Sequence, residues 1–237
     1  MNQNNPYAAA TTAAFAESGE RAAFLKKVYS LLFLGILGFA STLWAAANVP
    51  VVHDLAMGIG RVIYGSRFGI LLYMGVFLGG SWAVHAVAET KPINAIAYGL
   101  WVVVLGLLVA PIVLIVSSLH GPAIISQASL LTAVTFVGLT AAVFWTGSDF
   151  SFLRGVLGLA SGLLIAVFLA GWLFGFTVGL WGSAAVVALF AGYILYDTGA
   201  VIHRLPVSMP MTGAIMLFTD VALLFKNILL LLSRTRD

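Results

Sequence analysis

Cysteine is absent from this 237-residue chain, which excludes a disulfide framework, a thiolate metal site and a cysteine nucleophile. Charged residues make up only 8% of the chain, whereas a soluble domain carries roughly a quarter. No basic block exceeds Lys26 and Lys27, so we expect no nucleic-acid partner. The sequence also lacks a serine–histidine pair, a zinc-helix motif and a phosphate loop. We therefore expect neither an enzyme nor a cofactor.

Long apolar runs dominate what is present, with 62% hydrophobic residues and a mean hydropathy of +1.09. A membrane-spanning helix needs about 20 mainly apolar residues. The pattern predicts an all-α membrane protein with a soluble tail at residues 1–23 and one transmembrane domain at residues 24–237. The seven predicted spans are residues 24–47, 68–87, 93–119, 123–145, 152–174, 180–198 and 211–232.

The loops predict how the chain sits in the bilayer. Residues 48–67 form the longest loop and are predicted to hold a short helix. Basic residues favour the cytoplasmic side. The side of the N terminus holds Arg21, Lys26, Lys27, Lys91, Arg154 and Arg204, and the opposite side holds Arg61, Arg67, Arg234 and Arg236. This distribution favours a cytoplasmic N terminus.

Glycines also recur at four-residue spacing, as in Gly75 with Gly79 and Gly158 with Gly162. Such spacing lets membrane helices approach closely, so these positions predict packing between helices.

Two carboxylates fall inside predicted spans, Asp197 in the sixth and Asp220 in the seventh. A charge at the centre of a span costs about 2.5–3.5 kcal/mol, so both acids need partners. The short link "RLPVSMP" makes the two helices antiparallel neighbours, and a rise of 1.5 Å per residue allows both acids the same depth. Two such carboxylates can share a proton and titrate as a unit. Alternatively, Asp220 pairs with Asn227, and Asp197 with a backbone cap.

Other ionisable groups near the spans have two interpretations each. Lys226 either extends toward the membrane surface or supplies a counter-charge to the acids. His85 and Glu89 are four residues apart, so they form either a local hydrogen bond or a gating contact. His203, six residues after Asp197, is predicted to be a solvated flanking residue.

Five motifs in order resemble the Bax inhibitor family, also called the transmembrane Bax inhibitor motif family, in its bacterial form. They are "FLKKVYSLLFLGIL", "QASLLTAVTFVGLTA", "SDFSFLRGVL", "GYILYDT" and "MLFTDVALLFKNILLLLSR". The resemblance implies six helices around a central seventh, a pH-sensitive calcium leak and cytoprotection. The family's acidic pair falls on Asp197 and Asp220, which are then the pH sensor and transient calcium ligands. The implied partners are the lipid bilayer, calcium and protons.

This sequence departs from the family pattern in two places. Leu223 replaces an asparagine that commonly follows the seventh-helix acid, and "WAVHAVAETK" lacks the second-helix arginine that pairs with the acids in calcium-leaking bacterial members. Lys226 or protonated His85 is the candidate replacement for that arginine. If Lys226 has this role, Lys226→Met is predicted to shift the pH midpoint of flux.

Two other functions stay open at this point. The chain could be a non-transporting partner that modulates a membrane-anchored ATP-dependent protease or a stress response, with the N-terminal tail as the contact. An intramembrane aspartyl protease is a minor alternative, because "LFTD" replaces the usual Gly-x-Gly-Asp motif. The expected location is a bacterial inner membrane.

Overall fold

A computed structural model describes residues 11–66, 68–176 and 178–236. Within these residues the chain forms eight α-helices and one 3-10 turn, at Phe150–Phe152, and its only strand-like pairing is one isolated bridge. The helices are α1 (Ser18–Asn48), α2 (Pro50–Gly65), α3 (Gly69–Ala86), α4 (Ile93–His120), α5 (Ala123–Thr146), α6 (Leu153–Phe174), α7 (Gly179–His203) and α8 (Pro210–Arg234).

All of the described helices except α2 are long and apolar enough to cross a membrane, counting α6 together with its 3-10 turn. This confirms the prediction of an all-α membrane protein with seven spans. The short helix predicted in the longest loop is α2, which begins with Pro50 in its first turn, where the missing N–H costs nothing. Its Tyr64 hydroxyl donates to the Leu108 carbonyl of α4 at 2.9 Å. Helix α1 begins at Ser18, six residues before the predicted span.

Helix α8 is the centre of the bundle, as the family resemblance implied. It packs against α1, α3, α4, α5 and α7, whereas α6 packs chiefly against α7 and the 3-10 turn. Helix α4 is also largely buried along its length. The bundle therefore has two buried helices, and the second was not expected from the sequence.

Close packing of α1 against α4 fixes the direction of these helices. Gly35 faces Tyr98, and Gly106 faces Thr42, where an added Cβ would lie 2.6 Å from Thr42 Cγ2. The two pairs advance together along both helices, so α1 and α4 run parallel. The Tyr98 hydroxyl adds a hydrogen bond to the Leu31 carbonyl at 3.0 Å.

Residues 11–16, here called the N-terminal segment, pack on the link between α7 and α8, residues 204–209. The Ala13 amide donates to the Leu205 carbonyl at 3.0 Å, and the Val207 amide donates to the Thr11 carbonyl at 3.2 Å. On the side of the bundle that carries the N terminus, the N-terminal segment is therefore held against the α7–α8 link. Residues 1–10 of the predicted soluble tail lie outside the described residues.

Candidate functional site

The two intramembrane acids meet at the interface between α7 and α8. Asp197 is 8% exposed and Asp220 is 6% exposed. The antiparallel arrangement comes from the six-residue link, and Gly213 lets α8 approach Val201 of α7, since an added Cβ would lie 3.1 Å from Val201 Cγ2. The short link and the close approach at Gly213 therefore place both acids at the same depth in the bundle.

The carboxyl groups of Asp197 and Asp220 lie within hydrogen-bonding range of each other. Oδ2 of Asp220 and the Thr198 hydroxyl are buried without a hydrogen-bond partner among the described residues. Two carboxylates in this contact repel when both are ionised, and one proton between them converts the repulsion into a hydrogen bond. The pair can therefore act as a two-state element that responds to protons.

Arg204, the residue that follows α7, is a basic residue that acts on this pair. It follows Asp197 by seven residues, about two helical turns, which puts both on one side of α7. Its side chain folds back along the helix: Nη2 donates to the Tyr196 carbonyl at 3.2 Å, and the guanidinium lies 4.4 Å from the centre of the Tyr196 ring. Nη1 forms an ion pair with Asp149 Oδ1 at 3.1 Å. Its charge also acts electrostatically on Asp197.

From the sequence, Arg204 is predicted only to be a loop charge that orients the protein. The seven-residue spacing from Asp197 was the available signal, because arginine side chains on helices point back toward the preceding turn.

The three candidate counter-charges, on α8, on α3 and in the α3–α4 loop, contact groups other than the two acids. Lys226 Nζ donates to the Tyr73 hydroxyl at 3.1 Å and lies 4.7 Å from the centre of that ring. Nδ1 of His85 lies 2.8 Å from the carbonyl oxygen of Ser81, within hydrogen-bonding distance. Glu89 accepts a hydrogen bond from Thr212 at 3.3 Å. The structure thus does not bring His85 and Glu89 together, and it gives Lys226 an aromatic partner.

The two remaining polar candidates have local environments of their own. The Asn227 amide donates to the Leu223 carbonyl one turn earlier on α8, at 2.7 Å. His203 is half-buried, and its Nε2 has no hydrogen-bond partner among the described residues. Neither residue is recorded in a hydrogen bond to Asp220.

Comparison with known proteins places this chain in a family. The model of the family described as "Inhibitor of apoptosis-promoting Bax1" matches residues 21–237. The chain belongs to this Bax inhibitor family. The match runs from the first turn of α1 to the C terminus, so it includes both acids, and it confirms the resemblance carried by the five motifs.

Relatives of this Bax inhibitor family member cover nearly its full length. Protein LIFEGUARD 1 of Arabidopsis thaliana is 33% identical over 225 residues, 92% of each chain. Protein Cj0236c of Campylobacter jejuni is 31% identical over 214 residues, 90% of this chain and 88% of its own. The Golgi anti-apoptotic protein of Vaccinia virus is 29% identical over 213 residues, which are 90% of this chain and 85% of its own. The chain is therefore a multi-pass membrane protein of an anti-apoptotic family that is not known for enzymes and has a bacterial member.

Two cavities lie at opposite ends of this family member. The larger, of about 650 Å³, lies on the N-terminal side between α1, the α3–α4 loop and the α7–α8 link. The smaller, of about 400 Å³, lies at the other end between α2, α3, α6 and α7. Neither Asp197 nor Asp220 lines either cavity. The acid pair thus opens into neither of these two cavities.

The ligand count at the pair limits what it can hold. The described part of the chain contains no group of three or more His, Cys, Asp or Glu side chains arranged to hold a metal ion. Calcium takes six to eight oxygen ligands. The two carboxylates could therefore supply only part of a calcium coordination shell, and water or backbone carbonyls would have to supply the rest.

Proposed function

We propose that this Bax inhibitor family member is a pH-sensitive calcium leak channel gated by Asp197 and Asp220, and that the leak underlies its cytoprotective role. The observation that carries the proposal is the buried contact between these two carboxyl groups, on the central helix and its antiparallel neighbour. Ionisable groups inside a membrane are costly, and they are commonly retained for ion or proton pathways.

The proposed mechanism has two states. When the pair holds a proton, the hydrogen bond between the carboxyl groups keeps α7 against α8, and the packed side chains separate the cavities. When the proton leaves, the two negative charges repel, α7 separates from α8, and the carboxylates attract calcium as the transported ion. Flux should therefore increase as pH rises through the titration of the pair.

The proposed setting is a bacterial inner membrane with a cytoplasmic N terminus. The bacterial relative supports the first part. The larger number of basic residues on the side of the N terminus supports the second. The odd number of spans places the C terminus on the opposite face. Accessibility of a single engineered cysteine at either end, read with a membrane-impermeant reagent in intact cells, tests this orientation.

The channel function is tested by measuring calcium flux into dye-loaded proteoliposomes at pH values from about 5 to about 8. Asp197→Asn and Asp220→Asn each remove one titrating carboxyl while keeping its shape, so we expect either change to abolish the pH dependence. Asp54→Asn is the matched control, because Asp54 is an exposed acid on α2. It should leave the pH profile unchanged.

Absence of calcium flux at every pH would overturn the leak proposal. The second function, modulation of a membrane-anchored ATP-dependent protease, would then be tested by capture of the protease with and without residues 2–16. That function predicts no effect of Asp197→Asn or Asp220→Asn.

A further inference from the structure

The link between the two acid-bearing helices is restrained from two sides. On one side the N-terminal segment pairs with it: Thr12 and Pro206 form an antiparallel bridge, flanked by the two backbone hydrogen bonds described above. Ala13 is completely buried in this contact. On the other side, Asp149 holds Arg204 at the end of α7. Neither contact involves the acids themselves.

The link is also a wall of the larger cavity. Residues 207–211 line this cavity opposite Glu20, Phe24 and Lys27 of α1. Residues 11–16 lead directly into α1, so the N-terminal segment, the link and α1 form one continuous rim. Widening of the cavity on this side, between the link and α1, requires the link to move away from the N-terminal segment and α1.

Movement of the link would be transmitted to the acids because the connection is short. Asp197 lies seven residues before the link begins at Arg204, and Asp220 lies ten residues into α8, which begins at Pro210. Both intervals are helical, so they transmit a displacement with little slack. Because the N-terminal segment pairs with Leu205 and Val207, it restrains the link that joins the two helix ends.

We propose that the N-terminal segment is an autoinhibitory strap that holds the α7–α8 link, and with it the acid pair, in the closed arrangement. The inference rests on the proposed leak function, since it names a restraint on the same gate. Two neutral backbone hydrogen bonds together shift an equilibrium by roughly tenfold. Release of the strap should therefore raise flux at acid pH by roughly that factor.

A disulfide across the bridge tests the closed half of the proposal. The natural chain has no cysteine, so Thr12→Cys with Pro206→Cys introduces the only two thiols. Cα atoms paired across antiparallel strands are roughly 4.5–5.5 Å apart, which lies within the range of a disulfide. We expect oxidation to suppress flux at about pH 8 and a reductant to restore it. Each single-cysteine variant, treated identically, controls for the substitutions and the redox reagents.

Two truncations test the open half. Deletion of residues 2–16 removes the bonding residues, whereas deletion of residues 2–10 keeps them and is the matched control. The longer deletion should raise flux at acid pH by roughly tenfold. The variant with the shorter deletion should show the same flux as the full chain. Hydrogen exchange supplies a readout that does not depend on transport, because the Val207 amide donates to Thr11 and should exchange faster only after the longer deletion.

The outcomes separate the two proposals. If the full chain conducts calcium but neither oxidation nor the longer deletion changes flux, the strap is wrong and the leak stands. If no variant conducts, the leak is wrong and the strap is judged by exchange alone. Faster exchange along residues 197–203 after the longer deletion would support it, and unchanged exchange there would overturn it.

Discussion

Two faces of α8 carry polar groups, and they differ in how those groups are satisfied. On the face toward α3 and α4, Thr219 accepts a hydrogen bond from Trp101 Nε1 at 3.0 Å, and Lys226 donates to Tyr73. On the face toward α7, Asp220 meets another acid, and its Oδ2 has no partner among the described residues. One face joins complementary partners, whereas the other brings like charges together.

From this difference we propose that the face toward α3 and α4 is structural and that the face toward α7 is functional. A buried polar group with a complementary partner adds modest stability, while an unsatisfied one costs about 1–3 kcal/mol. Proteins retain such a cost where it serves function. We therefore expect changes on the α3–α4 side to lower stability and leave gating intact, and a change at Asp220 to do the reverse.

The largest expected effect is that of Asp220→Asn on stability at high pH. When both acids are ionised they repel, and an asparagine removes this repulsion and can donate to Asp197. We expect stabilisation by roughly 1–3 kcal/mol at about pH 8, read by thermal unfolding in detergent. This gain in stability should vanish at acid pH, because a proton shared by the two acids already removes their repulsion there. Asp54→Asn is the control. An equal gain in stability for that variant would show that the stabilisation does not come from the contact between the two acids.

Trp101→Phe tests the opposite face with a smaller effect. The substitution keeps an aromatic ring near Phe77, removes the N–H that donates to Thr219, and also removes part of the indole that packs against Gly80. We expect a loss of roughly 1–2 kcal/mol in thermal unfolding and an unchanged pH midpoint of flux. Trp82→Phe, on an exposed tryptophan of α3, should have little effect on either measurement. A shifted midpoint for Trp101→Phe would show that this face takes part in gating.

Lys226→Met should have the smallest effect. It removes the hydrogen bond and the cation–π contact with Tyr73, worth about 1 kcal/mol. Because the Lys226 ammonium is directed toward α3, we expect the flux midpoint to move by less than roughly half a pH unit. A larger shift, measured beside Lys27→Met as the control, would assign Lys226 the latch role inferred from the missing second-helix arginine.

Much of this arrangement could be predicted from sequence. Hydropathy placed all seven spans because lipid accepts only long apolar helices. The short α7–α8 link and the fixed rise of a helix placed Asp197 and Asp220 at one depth, and the structure brings their carboxyl groups together. The calcium and gating roles of the pair stay predictions.

The burial pattern could not be predicted in the same way. Apolar side chains suit lipid and protein interior alike, so composition did not identify α4 as a buried helix. For the same reason the glycine spacing was a poor guide. Gly75, Gly79, Gly158 and Gly162 face open space, whereas Gly106 packs closely against Thr42. The ion pair between Arg204 and Asp149 was missed because it joins two loops far apart in sequence.

The pairing of Ala13 with Leu205 has a consequence for biogenesis. Ala13 is synthesised near the start of translation, whereas its partner Leu205 is synthesised near the end. Six of the seven spans are synthesised before Leu205, and α8 is synthesised after it. A ribosome-bound chain therefore carries neither the completed acid pair nor the closed N-terminal rim, and both arise only at the end of synthesis.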